Sequence, residues 1–383
     1  MKRQKVKRSI SLILIACAVF LTLSGCMIED KKHQLPVVTI GPAFTVLPTE
    51  EPAANATTEP APTPVADVPV TFTDINFENA VREAIGRNIG YIYPADLSEI
   101  TSFTARVSGI VNIKEIVYFT SLEELDLMGN RISDLTPLTS LKKLKKLNIS
   151  KNFSVMTGDR EKGLDISPVG TLPLLEELDA SNNLITDISA LASLKALRYL
   201  DLRTNRLKSL EGLEGCISLE YLDISGSFRI GADNKSAGIS DLGALSGLTE
   251  LKTLYASNGL INSLEPIAGL TKLEYLDATY NSLISFPDMK RMEKLTTLIV
   301  RNNNIFSLEG VVNAPVLATL DVRYNYIRQI FEVIRMRTLE TIYLDGNPII
   351  DYSPLDILEQ IKNGTYVIPL PVIFPNASGN QTE

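Results

Sequence analysis

The sequence predicts an α/β solenoid: stacked coils, each made of one short strand, a tight turn and a returning segment, with the strands side by side in one parallel sheet. Three observations predict it. The apolar residues of 194–215 are Leu194, Leu197, Leu200, Leu202, Leu207, Leu210 and Leu213, with Asn205 between the fourth and fifth; this spacing is neither helical nor alternating. The pattern returns at ten positions, Asn130, Asn152, Asn183, Asn205, Ser227, Gly259, Asn281, Asn303, Asn325 and Asn347, eight of them asparagine. The steps between them are 22, 31, 22, 22, 32, 22, 22, 22 and 22 residues, and a fixed period marks a repeat architecture. A weaker unit stands one step earlier at Ser108, with Phe103, Ala105, Ile110, Ile113 and Ile116 in the matching places.

In chain order, residues 1–25 read as a targeting segment. Lys2, Arg3, Lys5, Lys7 and Arg8 form a basic region, and Ile10 to Leu23 an apolar core too short for a comfortable membrane span. Leu23-Ser24-Gly25-Cys26 then resembles the bacterial lipoprotein box. That resemblance implies cleavage before Cys26, lipid on its sulfur and amine, and an extracytoplasmic position on a bacterial cell membrane. Several acyl chains make such anchoring stable where one is marginal. The alternative is an ordinary secretory signal with an incidental cysteine. Residues 26–70, rich in Pro, Thr, Ala and Glu without periodic apolar residues, read as an extended tether.

Residues 71–99 read as a helical N-terminal cap. Asp74 is the expected N-cap, and Phe77, Val81, Ala84 and Ile85 the expected buried face. Pro94 and Asp96 open a second turn carrying Leu97 and Ile100. An end coil would otherwise expose its leucines. The repeats follow over 100–352, about eleven units, with insertions near 153–162 and 228–238. Both insertions leave just after a strand, three coils apart, and are expected on one rim about 15 Å from each other. They are tolerated slack or a pair of binding loops. Each turn asparagine is expected to point inward, where its amide can satisfy backbone groups stripped from the ladder by the tight bend. Ser227 and Gly259 break that row, so irregularity is expected there. Residues 353–383 hold a C-terminal cap and a tail: Ser353, Pro354 and Asp356 read as N-cap, first helical position and first-turn acid, and Gly364 as the stop.

The LxxLxLxxNxI pattern at a 22-residue period resembles the leucine-rich repeat family. Its SDLTPL and TDISAL returns resemble the internalins of bacterial surfaces, over roughly residues 71–365. The resemblance implies a horseshoe with a parallel concave sheet and helical caps. A parallel sheet normally has both faces covered; the concave face of a horseshoe is open, so its side chains are free for binding. Between the strand leucines stand Asp126, Asn148, Asp179, Asp201, Asp223, Tyr255, Asp277, Ile299, Asp321 and Tyr343. Successive aspartates there form a solvated face, hold a cation or meet a basic partner. Tyr199, Tyr221, Tyr255 and Tyr275 are expected to cluster in mid-face beside Arg203, with Tyr280, Tyr324, Tyr326 and Phe228 near the same edge. Tyr and Arg are enriched at binding hot spots, although Tyr also suits an exposed strand. The expected contact set is Tyr199, Asp201, Arg203, Tyr221, Asp223, Tyr255, Tyr275, Asp277, Arg301 and Arg323.

Lys and Arg number 37 against 45 Asp and Glu, a net charge of −8; loss of five basic residues with the leader leaves −13. An acidic ectodomain argues against nucleic acid and against electrostatic docking on anionic lipid, so membrane contact is expected through the anchor alone. Of three cysteines, Cys17 leaves with the leader, Cys26 is the lipid site, and Cys216 falls in an apolar column as a small buried hydrophobe. The one histidine, His33, lies in the tether, which removes Ser-His-Asp and Cys-His arrangements from the repeats. No Gly-rich phosphate loop or Cys/His metal cluster stands in the sequence; no cofactor and no metal is expected. The reading is a monomeric, non-enzymatic surface protein that binds a macromolecule, a protein first, through its concave face. A wall-glycan module and a structural spacer of the envelope are the alternatives.

Overall fold

The computed structural model describes residues 68–152, 163–230 and 236–364. The leader, Cys26, the tether to residue 67, the first insertion and the tail from residue 365 lie outside the described residues.

Each coil contributes a three-residue strand whose central residue, leucine in most coils, points inward. The strands are β1 (Ser102–Thr104), β2 (Glu124–Asp126), β3 (Lys146–Asn148), β4 (Glu177–Asp179), β5 (Tyr199–Asp201) and β6 (Tyr221–Asp223). After β7 (Arg229–Ile230) and β8 (Ser236–Ala237) come β9 (Thr253–Tyr255), β10 (Tyr275–Asp277), β11 (Thr297–Ile299), β12 (Thr319–Asp321) and β13 (Thr341–Tyr343). Eleven of them form one parallel sheet in sequence order, with β6 pairing directly with β9. Register follows the repeat, so Tyr199 lies beside Tyr221 and Leu200 beside Leu222. Short 3-10 turns make the returning side. Several start on an aspartate that accepts the backbone N–H two residues on, as Asp187 does from Ser189 at 2.8 Å; this explains the recurring Asp of the TDISAL segments.

The core is one column of inward positions repeated coil after coil. In the fifth coil Leu197, Leu200, Leu202, Leu207, Leu210, Leu213 and Cys216 are all buried. Burying each such leucine stabilises by about 2 kcal/mol relative to exposure. Burial holds the Cys216 thiol up at about 11, and its Sγ lies 3.3 Å from the Leu191 carbonyl; it is unreactive packing.

The turn asparagines join the coils. Asn205 Nδ2 donates to Ala180 O of the preceding coil at 3.0 Å and to Leu202 O of its own at 2.7 Å. Its Oδ1 accepts Asn183 N at 3.1 Å and Ile185 N at 2.9 Å. Asn130, Asn152, Asn183, Asn281, Asn303, Asn325 and Asn347 likewise bond to the backbone of their own and the preceding coil. Asn281 and Asn347 are only partly buried.

Helix α1 (Ile75–Ala84) caps the first coil. Asp74 Oδ1 accepts Asn76 N and Phe77 N, closing the helix start, while Oδ2 accepts Val111 N at 2.7 Å and Asn112 N at 3.0 Å from the first return. Burial disfavours the charge, but those four N–H groups hold the carboxyl below its ordinary value. The buried face is Phe77 and Val81 with Ala80 and Ile85 partly covered; Ala84, expected inward, is exposed. Phe77 meets Phe103 at 5.9 Å and Phe103 meets Phe119 at 5.2 Å, so rings replace leucines where cap and solenoid join. Helix α2 (Pro94–Ser98) follows. At the other end, α3 (Ser353–Lys362) begins one residue earlier than expected. Ser353 is its first residue, and Asp351 supplies the acceptor, taking Ser353 N at 2.8 Å. Pro354 and Leu358 are its buried residues, and Gly364 takes φ +68° just past the end.

Candidate functional site

The sheet places its outward side chains in columns one strand spacing apart. Tyr199 and Tyr221 stack with centroids 4.4 Å apart and planes 10° from parallel. Tyr221 and Tyr255 meet at 5.8 Å, and Tyr255 and Tyr275 at 5.0 Å with planes at 42°. The four rings form one continuous row across β5, β6, β9 and β10. Burial among its neighbours, with the Asp277 charge adding, pushes the Tyr275 phenol up to about 12. Burial also raises Tyr199 and Tyr221. All three hydroxyls therefore stay neutral donors near neutral pH.

The aspartate column behaves differently from the expectation of a solvated or partner-facing row. Asp201 and Asp223 are only 1% and 6% exposed. Asp126, Asp179, Asp201, Asp223, Asp277 and Asp321 each accept the backbone N–H two residues on, at 2.9–3.2 Å, and Asn148 does the same. The short side chain closes the bend that ends each strand, and Asp201 and Asp223 present almost no surface to a partner. Desolvation, reinforced by Asp179 and Asp223, pushes the Asp201 carboxyl up to about 6 against the pull of Arg203. Among the described residues no cluster of three or more His, Cys, Asp or Glu is arranged to hold a metal ion.

The arginines are tethered. Arg203 Nε is 3.2 Å from Asp201 Oδ2. Arg323 holds Asp321 at 2.6 Å and lies 4.9 Å over the Tyr343 ring, a cation–π distance. Arg301 Nε, 3.7 Å from Asp321, is buried with no hydrogen-bond partner, as is Thr279 Oγ1. Toward the first coils the face becomes a shallow polar depression lined by Arg106, Glu124, Asp126, Lys146, Glu177, Asp179 and Tyr199.

Two features were not drawn from the sequence. Along the leading edge of the strands, Glu123, Lys145, Glu176, Arg198, Glu220, Lys252 and Glu274 alternate in charge coil by coil. Lys145 reaches Glu123 at 2.8 Å and Lys252 reaches Glu220 at 2.6 Å, while Arg198 pairs with the same Glu220. The period itself carries that signal. Second, the residue before each ladder position has positive φ in all eleven coils: Val107, Gly129, Lys151, Asn182, Thr204, Gly226, Asn258, Tyr280, Asn302, Tyr324 and Gly346. Six of these are Gly or Asn, which suit that conformation. A bulky side chain there costs on the order of 1 kcal/mol. Tyr280 and Tyr324 sit in this column at +53° and +55°, on the rim beside the concave face.

The second insertion meets the same rim. Phe228 N donates to Asn258 O at 2.8 Å, and β7 pairs antiparallel with β8. Ser227 Oγ accepts Ile239 N at 3.2 Å in place of an amide. Gly259 leaves room that a side chain would take: a Cβ there would come within 2.8 Å of Asn281 Oδ1, which would have to shift.

A sheet of this register, closed by an asparagine ladder, defines a leucine-rich repeat protein. The family model "Leucine Rich repeats (2 copies)" matches residues 120–155 and 173–215. A crystal structure of an internalin, InlF of Listeria monocytogenes, is 29% identical and superposes with a TM-score of 0.68, covering 77% of this chain and 84% of that one. The functional domain of InlJ from the same species, which includes a cysteine ladder, is 21% identical with a TM-score of 0.56 over 75% of this chain and 63% of that one. A leucine-rich repeat protein of Leptospira interrogans is 20% identical with a TM-score of 0.57, covering 69% and 71%. No curated protein sequence matches the chain. The described residues thus form a leucine-rich repeat solenoid similar in fold to the internalins.

Proposed function

We propose that this protein recognises another protein through the concave face, with no chemical step, and that lipid on Cys26 holds it on the outer side of a bacterial membrane. The carrying observation is the unbroken tyrosine row on a rigid sheet. Rigid aromatics lose little freedom on binding and supply large amphipathic contact area. Tyr255, Tyr275, Arg203, Arg301 and Arg323 extend the contact beyond Tyr199 and Tyr221.

The ring geometry favours a protein over wall glycan. Sugar stacking needs an open ring face. Tyr199 and Tyr221 each give one face to the other at 4.4 Å, which leaves at most one face per ring for a sugar. Edges and donors suit pockets and carbonyls of a polypeptide.

The test is affinity capture from envelope and host-cell extracts with the purified chain beside a Tyr199→Ala, Tyr221→Ala, Tyr275→Ala variant of unchanged melting temperature. A protein held by the first and lost by the second supports the reading. Identical capture by both overturns it, and capture displaced by soluble wall glycan moves the function to carbohydrate. For the anchor, labelled palmitate incorporation is expected in cells and should vanish in Cys26→Ala.

A further inference from the structure

We propose that residues 366–373 of this chain add a twelfth strand to the sheet, parallel to β13, and seal its open edge. This closure lies at the end of the solenoid and does not rest on the concave reading. At every join between coils two backbone N–H groups reach forward to the next coil. Leu202 N donates to Asp223 O at 2.8 Å and Thr204 N to Ser225 O at 2.7 Å. At the last join Val322 N donates to Tyr343 O at 3.0 Å and Tyr324 N to Asp345 O at 2.8 Å. Leu344 N and Gly346 N hold the same places in the final coil and have no acceptor among the described residues. The apolar column is open there too. Leu320 and Ile327 are fully buried, whereas Ile342 and Ile349, one coil later, are only partly covered. Helix α3 lies against the last 3-10 turn, on the returning side.

The segment that follows suits the vacant edge. Lys362 Nζ donates to Leu339 O, so α3 ends near the entry of β13, where each earlier return delivers the next strand. After three residues comes 366–374, a run without a charge. Its prolines select the edge. In a strand, successive residues turn their N–H groups to opposite edges. In this sheet the inward residues turn theirs toward the next coil, as Leu202 and Val322 do; the outward ones turn theirs back, as Tyr199 does to Glu176 O. A last strand has no next coil, and an N–H at its inward positions would be a template for another chain. Pro369 and Pro371 stand two apart and lack that N–H. Placed inward with Val367 and Ile373, they give apolar rings to the core and a blunted edge to solvent. Ile368, Leu370 and Val372 keep the backbone groups that face β13. Prolines of the opposite parity would do the reverse. A second copy of the chain would have to compete for β13 with a segment tethered beside it.

The test is amide hydrogen exchange on the full-length chain in detergent, read residue by residue by mass spectrometry. The Leu344 and Gly346 amides are expected to exchange at least about tenfold more slowly than open amides. Leu370→Pro removes a donor from the edge facing β13 and should release both. Val367→Pro adds a third proline to the free edge and should leave them protected. Ala256 and Asn258, whose amides bond to the next coil in mid-sheet, are expected unchanged in both variants and report that the coils stay folded. Free exchange at Leu344 and Gly346 in the unmodified chain overturns the proposal. So does protection that survives Leu370→Pro, or that is lost equally with Val367→Pro. Protection that appears only as protein concentration rises assigns the edge to a second copy and overturns it as well.

Discussion

The fourth and fifth coils and the sixth and seventh coils solve the same turn in different ways. In the former, Asn205 joins two coils through four hydrogen bonds and the return follows at once. In the latter, Ser227 offers one hydroxyl, Gly259 offers no side chain, and the chain detours through the β7–β8 hairpin before coming back at Ile239. The strands above both turns keep the same register. The sheet therefore tolerates a weakened join provided the coils on either side are regular. The weakened join is also where exposed Phe228 and Ile230 emerge, so the solenoid spends local stability at its rim and recovers it in neighbouring ladders.

That contrast can be broken most strongly at the regular turn. Asn205→Ala leaves two carbonyls and two N–H groups without their partner in a buried turn, and about 4 kcal/mol of stability should be lost. Chemical denaturation checks it; a loss under about 1 kcal/mol would mean that the ladder is not what joins the coils. Next in size, restoring the common residue should harm the irregular turn. Gly259→Asn would force Cβ against Asn281 Oδ1 at 2.8 Å and Ile239 O at 3.1 Å, for a loss of about 2 kcal/mol.

Third is a pH effect. The folded Asp201 carboxyl sits at about 6, above its ordinary 3.8, chiefly through burial. The folded state thus binds the proton more tightly, and its contribution to stability falls as pH rises from about 4 to about 6, then levels. Asp201→Asn can keep the acceptor for Arg203 N, as Asn148 does for Ser150 N. It should melt higher than the unmodified chain at pH 7.5, by on the order of 2 kcal/mol, and show no gain at pH 4. A gain that is constant across this range would contradict the assignment. The smallest effect belongs to Ser227→Ala, which removes one hydrogen bond and about 1 kcal/mol; equality with Asn205→Ala would erase the distinction between the two turns.

What was legible in the sequence divides along a physical line. The strand leucines and the asparagine ladder follow from a single requirement met again every 22 residues, and such requirements print themselves as columns; the tyrosine row was legible only because the same register aligns Tyr199, Tyr221 and Tyr275 on neighbouring strands. The aspartate column is equally regular, yet its purpose was not legible, because it depends on a backbone N–H two residues later. Asp201 and Asp223 accordingly looked like surface groups. The left-handed column was open to reading, since Gly129, Asn182, Gly226, Asn258, Asn302 and Gly346 share it, but Val107, Lys151, Thr204 and the two tyrosines mask it. At the caps, where nothing repeats, Ala84 and the start of α3 were misplaced by ordinary end effects.

The alternating charges from Glu123 to Glu274 bear on how such a chain assembles. Near-identical coils invite mispairing: a coil could dock on the one after next, looping out its neighbour, and bury almost the same leucines. Every such skip along this edge sets Glu against Glu or Lys against Arg, whereas the proper neighbour always brings the opposite sign. Exposed pairs of this kind add little to stability. Their contribution lies in discrimination, a parity check written across seven coils that penalises a miscounted stack while it is being built.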